Sequence, residues 1–150
     1  MARVLTSRER HLVGALAETL FPVEGPIPVG SAMARVVDYV DGYLAAAPAP
    51  ERTQLRALFA LFELAHVVQG PARPRPFSRA PAASRRALLA AWSESPLYPQ
   101  RAAFQALRSL ISIAWVADAE VRHHMGYGDG AEAVRAWNRR KKQDGDSPAV

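Results

Sequence analysis

The sequence predicts an all-α fold, a single helical domain of five to six helices packed around a central buried helix at about 101–125. Three observations carry this prediction. Apolar residues recur at helical spacing along the chain, and no segment alternates apolar and polar residues with the period of two that a half-buried strand requires. The stretch from Arg101 to Met125 contains neither glycine nor proline, so nothing of that kind interrupts a long helix before Gly126. The length, 150 residues with 49% apolar content, suits one domain with a core that needs no staples.

The elements follow in order. Thr6-Ser7-Arg8-Glu9 reads as a capping box that starts a first helix, with Thr6 at the N-cap and Glu9 three residues on. That helix runs to about Leu20, with Leu12, Ala15, Leu16 and Leu20 on one face, and Phe21-Pro22 ends it. Three prolines and two glycines make Pro22 to Gly30 a stiff loop. Ser31 is placed to cap a second helix, whose stripe is Met33, Val36, Val37, Val40 and Leu44, with Asp38 and Asp41 off it. Ala47-Pro48-Ala49-Pro50 reads as a connector. A third helix is expected from about Glu51 to Gln69, with Leu55, Leu58, Phe59, Phe62, Ala65 and Val68 or Gln69 inward, Leu61 and Leu64 widening the buried face, and Gly70 closing it.

Prolines at 71, 74, 76 and 81 favour an extended path through 71–83. Ser84 is expected to cap a fourth helix that turns Leu88, Leu89 and Trp92 inward. A turn at 95–99 then leads into the central helix. There, Phe104, Leu107 and Ile111 form one stripe. Ala106, Leu110, Ile113, Ala117, Val121 and Met125 form a second, so the helix is expected to be buried nearly all round, Trp115 included. Gly126 supplies a left-handed stop, with Tyr127 folding back over Val121. A short helix at about 131–142, carrying Val134 and Trp137, completes a domain of residues 1–142, and residues 143–150 read as a disordered tail.

Composition limits the chemistry. With no cysteine there is no disulfide, thiolate metal site or cysteine nucleophile. Glu120 and His124 share a helix face near Asp118 and His123, which allows an acid/base pair or a metal site to be drawn. The adjacent histidines point about 100° apart, however, and histidines in a last turn suit the negative end of the helix dipole, which is the preferred reading. His66 reads as a hydrogen-bonded core-edge residue, and His11 lies far off in sequence. The glycines at 126, 128 and 130 follow a helix, the wrong order for a phosphate cradle, and no G-x-S-x-G elbow occurs. The sequence therefore assigns no catalytic, cofactor-binding or metal residue.

The net charge of +5 is concentrated at 73–86 and 135–142. Those stretches read either as solvated surface or as belts that lie across a partner. A basic helical domain that binds nucleic acid is the alternative reading, although a lone Trp137 among basic residues is no stacking platform. No run reaches the ~18 uncharged apolar residues of a membrane span.

Four stretches together resemble the gluconate 2-dehydrogenase subunit 3 family: LTSRERHLVGALAETLFP at 5–22, VVDYVDGYL at 36–44, PFSRAPAASRRALLAAWSES at 76–95 and RAAFQALRSLISIAWVADAEVRHHMGYG at 101–128. The resemblance implies an all-helical, non-catalytic small subunit that accompanies a large flavin-dependent dehydrogenase or oxidase of the glucose-methanol-choline type. It would support that subunit's stability, maturation or assembly. FAD would then reside in the partner and no cofactor in this chain. The chain begins directly at the capping box with no signal peptide or twin-arginine signal, so a cytoplasmic complex is expected unless export depends on the partner. Aromatic and arginine side chains anchor interfaces, so Phe77, Arg79, Trp92, Tyr98, Tyr127 and Trp137 are the expected partner contacts, with Trp92 alternatively a core residue.

Overall fold

The structure, a computed structural model, describes residues 3–27, 30, 32–69 and 75–127. Within them lie α1 (Ser7–Leu20), α2 (Ala32–Ala46), α3 (Ala49–Gln69), a 3-10 turn at Phe77–Arg79, α4 (Ala82–Ser93), α5 (Tyr98–Ala117) and α6 (Ala119–His124), with no strand among the described residues. The expected cap Ser31, the stop Gly70, the short helix at about 131–142 with Trp137, and the tail 143–150 lie outside the described residues.

The capping box forms as read. The Thr6 hydroxyl accepts the Glu9 N–H at 3.2 Å, and the Glu9 carboxylate accepts the Thr6 N–H at 2.7 Å. Asp41, on α2, ties the preceding residues down by accepting the N–H groups of Val4 and Leu5 at 3.0 and 2.6 Å. That carboxylate compensates an extended segment that would otherwise leave its donors unpaired.

The centre of the domain is shared. α5 packs on α2, α4 and α1, whereas α1 packs on α2, α3, α4, α5 and the 3-10 turn. The reason lies in α1's sequence: Leu12, Val13, Ala15, Leu16 and Ala17 are all buried, and small residues at 15 and 17 let neighbours approach. The shared core joins these to Val36, Val40 and Leu44 of α2, Phe59 and Phe62 of α3, Trp92 of α4, and Phe104, Leu107, Ile111 and Trp115 of α5.

Several expectations need correction. The central helix is two helices. Asp118 sits in an extended conformation (φ −69°, ψ 132°) and its carboxylate caps α6 by accepting the N–H groups of Glu120 and Val121. A capping aspartate therefore breaks the run that glycine and proline leave intact. The other end of the helix moves too, since α5 starts at Tyr98 with Pro99 in its first turn, where a missing N–H loses no bond. For the same reason α3 begins at Ala49 with Pro50 in its first turn, and α4 begins at Ala82 with Pro81, not Ser84, at the N-cap.

Nor is α5 buried all round: Ile113 and Val116 are exposed while Phe104, Leu107, Ile111, Ala114 and Trp115 face the core. α6 ends at a left-handed Gly126 (φ 77°), with Tyr127 N–H reaching the Arg122 carbonyl at 2.9 Å and Gly126 N–H the His123 carbonyl at 3.0 Å. Tyr127 itself is 64% exposed and does not lid Val121.

The Pro-rich segment is also more ordered locally than an extended path. Phe77–Arg79 forms a 3-10 turn that drives Phe77 into the core, fully buried. There it meets Phe62 edge-on at 5.2 Å between ring centroids. Two polar residues of α3 hold the turn: Glu63 accepts the Ser78 N–H and hydroxyl at 2.9 and 2.6 Å, and His66 Nδ1 donates to the Arg75 carbonyl at 2.8 Å.

Candidate functional site

The residues singled out for catalysis have structural partners. Asp118 is buried and paired with Arg35, which also reaches Glu120 at 2.7 Å from Nη2. The Arg35 hydrogen bonds hold the Asp118 carboxyl below its ordinary range, helped by the Val121 and Glu120 N–H groups and opposed by burial. The same two carboxylates, Asp118 foremost, raise the Arg35 guanidinium above its usual value. Glu120 thus anchors α6 to α2, and His123 and His124 stand exposed in the last turn of α6. His11 Nδ1 lies 2.7 Å from the Ser7 carbonyl one turn earlier. Among the described residues, no group of three or more His, Cys, Asp or Glu side chains is placed to hold a metal ion.

Much of the basic charge is engaged in holding the fold. Arg8 pairs with Glu63, Arg10 with Asp38, Arg56 with Glu9 and Arg85 with Glu18. Arg52, Arg101 and Arg122 donate to the carbonyls of Ala47, Ser95 and Ala117. Arg85 matters most for the belt expected at 73–86, because its guanidinium turns inward to Ala15 and Glu18 rather than outward to a partner.

Of the expected partner contacts, Phe77 and Trp92 are corrected to core positions. Phe77 fills the space beside Phe62, and Trp92, 3% exposed, packs edge-on to Phe62 at 4.8 Å. Their aromatic bulk is used inside the domain, where a helix and a turn without it would leave a void. Arg79, Tyr98 and Tyr127 are exposed, and Trp137 lies outside the described residues.

The surfaces left uncovered are aliphatic and were not singled out from sequence. One lies on α3, where Leu61, Leu64 and Val68 are 51, 58 and 75% exposed. This overturns the expectation that Leu61 and Leu64 widen a buried face, and the placing of Val68 on the inward one. Together with Ala65, Trp92, Pro99 and Gln100 they line an open hollow of about 340 Å³, and Leu97 and Tyr98 stand exposed at the start of α5.

The other surface is a hollow of about 250 Å³ between the end of α1 and the end of α5. It is lined by Leu20, Phe21, Pro22, Gly25, Pro26, Ile27, Trp115, Val116 and Met125. Its floor is the parallel stack of Phe21 on Trp115, 4.9 Å between centroids. Its wall is the tight turn at Pro22–Gly25. A side chain at Gly25 would come within 2.8 Å of the Pro22 carbonyl, so only glycine fits that turn.

A closed helical core that leaves aliphatic faces uncovered is the build of a subunit that joins a larger assembly. The chain belongs to the gluconate 2-dehydrogenase subunit 3 family, whose model matches residues 7–129. It is therefore of the accessory-subunit type found in dehydrogenase complexes. No curated protein and no solved structure matches it. No described helix is long and apolar enough to cross a membrane.

Proposed function

We propose that this chain is a non-catalytic small subunit that docks on a large FAD-dependent dehydrogenase or oxidase of the glucose-methanol-choline type and supports its stability, maturation or assembly. The observation that carries this reading is the pair of uncovered aliphatic surfaces on a domain whose core is otherwise closed, in a chain of this family. Large exposed aliphatic side chains grouped on one surface mark interaction sites more often than single scattered ones do. The titratable groups support the same reading, since Asp118, Glu120 and Glu63 are each held by a structural partner. In this proposal the flavin belongs to the large subunit and this chain holds no cofactor. Engagement of the arginines in internal pairs weighs against the nucleic-acid alternative.

Co-expression with a large flavoprotein of the glucose-methanol-choline type from the same source tests the proposal. The two chains are expected to co-elute, and omission of the small chain is expected to lower the yield of FAD-loaded large subunit. A large subunit that folds, loads flavin and stays stable without this chain, and does not bind it, refutes the proposal. The cytoplasm is the expected compartment, which fractionation of the complex checks.

A further inference from the structure

Between α2 and the break that separates α5 from α6 lies an open hollow of about 580 Å³. Ala114, Ala117 and Ala119 line it and are too small to fill it. Tyr39, 38% exposed, gives it an aromatic wall. Its rim holds two carboxylates, Asp118 and Glu120, against the one guanidinium of Arg35. Glu120 keeps 53% of its side chain exposed while it pairs with Arg35. Arg122 does not line the hollow, since its guanidinium donates to the Ala117 carbonyl. The space suits an occupant that brings a large flat apolar group with positive charge beside it.

The chain itself carries such a group. Residues 128–150 continue from Tyr127, beyond the described residues. The left-handed Gly126 turns the chain at the end of α6, and Gly128 and Gly130 follow it. In the helix read at about 131–142, Ala133, Val134 and Trp137 share one face, and Arg140 and Lys141 flank Trp137 one turn on. Glu120 lies about 10 Å back along α6 from Tyr127, and the stretch from Tyr127 to Trp137 reaches roughly 30 Å when extended, so the segment is long enough to return. The family match ends at residue 129, so this segment lies beyond the shared domain.

We propose that the segment at 131–142 folds back along α6 and seats Trp137 in this hollow, with Arg140 or Lys141 meeting the Glu120 carboxylate. Charge selects this hollow over the one between the ends of α1 and α5, whose lining has no charged side chain to receive the cations. The assignment makes Trp137 an internal anchor, as Phe77 and Trp92 are. It leaves Arg135, Arg139 and Lys142 on the opposite face of the segment. The inference does not rest on the accessory reading, and both aliphatic surfaces stay open to a partner.

Acrylamide quenching of tryptophan fluorescence in the full chain tests this. Trp92 and Trp115 are 3% and 2% exposed, so a readily quenched tryptophan in wild type is Trp137. Wild type is expected to show no readily quenched component, and Trp137→Phe to quench as wild type does. Ala117→Lys, which puts a charged side chain into the hollow, is expected to release Trp137 and add such a component. Trp137→Ala is expected to speed hydrogen exchange in α6 and around Asp118. That substitution lies outside the elements of the core, so this arm stands even where Ala117→Lys fails to fold.

A readily quenched tryptophan in wild type overturns the proposal, as does unchanged exchange in Trp137→Ala. Trp137 that stays shielded in a folded Ala117→Lys variant overturns it by placing the ring elsewhere. Shielding that vanishes on dilution overturns it as well, by making a second copy the occupant.

Discussion

Replacing Phe77 by alanine separates a core residue from an interface residue. Its ring is fully buried, edge-on to Phe62 and 6.3 Å from the His66 ring, in a turn pinned by Glu63 and His66. Truncating a fully buried phenylalanine costs about 3–5 kcal/mol, the transfer term plus the cavity left behind. The turn is braced by three hydrogen bonds to α3, so little collapse into the cavity is expected, and the upper part of that range applies. At 150 residues each kcal/mol shifts the melting temperature by roughly 2–4 °C, so Phe77→Ala is expected to melt about 10 °C or more below wild type. Thermal and urea unfolding of the isolated chain, followed by circular dichroism, read this directly. A variant that melts within about 2 °C of wild type and yet binds the flavoprotein weakly would refute the core assignment and restore Phe77 to the interface.

Three further perturbations follow from the same geometry. Asp118→Ala removes the α6 cap and is expected to lose about 1 kcal/mol from the cap alone, whereas Asp118→Asn keeps part of it. Because the folded Asp118 carboxyl titrates below its ordinary value of about 3.9, its stabilising effect is complete above that pH. It fades as pH falls through the lower folded value, so the gap between wild type and Asp118→Ala in urea titrations should close in acid; a gap that widens contradicts the Arg35 pairing. Thr6→Ala is expected to cost about 1 kcal/mol by opening the capping box, checked by the urea midpoint. Gly126→Ala is expected to cost about 1 kcal/mol from its φ of 77° alone, since no atom lies within 4 Å of the added methyl; a neutral result would mean the terminus of α6 is not fixed in solution.

The fold was legible where local chemistry decides it. The Thr6–Glu9 box, the Phe21-Pro22 stop and the Met33-to-Leu44 stripe are each written within a few residues, and each forms as read. The break at Asp118 was not legible, because its carboxylate caps α6 together with a pairing to Arg35, 83 residues away. Phe77 was misread for a related reason. Its neighbours are prolines and arginines, and only Glu63 and His66, on another element, draw the turn inward.

The outer face of α3 shows the same limit. α3 is apolar on two sides, and periodicity alone does not say which side meets the core. The signal that decides it is the polar pair: Glu63 and His66 lie among the inner residues because they bond the strap at 75–79. With that strap unseen, Leu61 and Leu64 read as a wider core, and the aromatic residues appear the better anchors.

Hydrogen exchange of the chain, alone and with its flavoprotein partner, measures the central claim most directly. The account predicts that complex formation slows exchange at one or both uncovered aliphatic surfaces, residues 57–68 of α3 and the hollow between the ends of α1 and α5, and leaves the first turns of α1 unchanged. No change anywhere on mixing would contradict it.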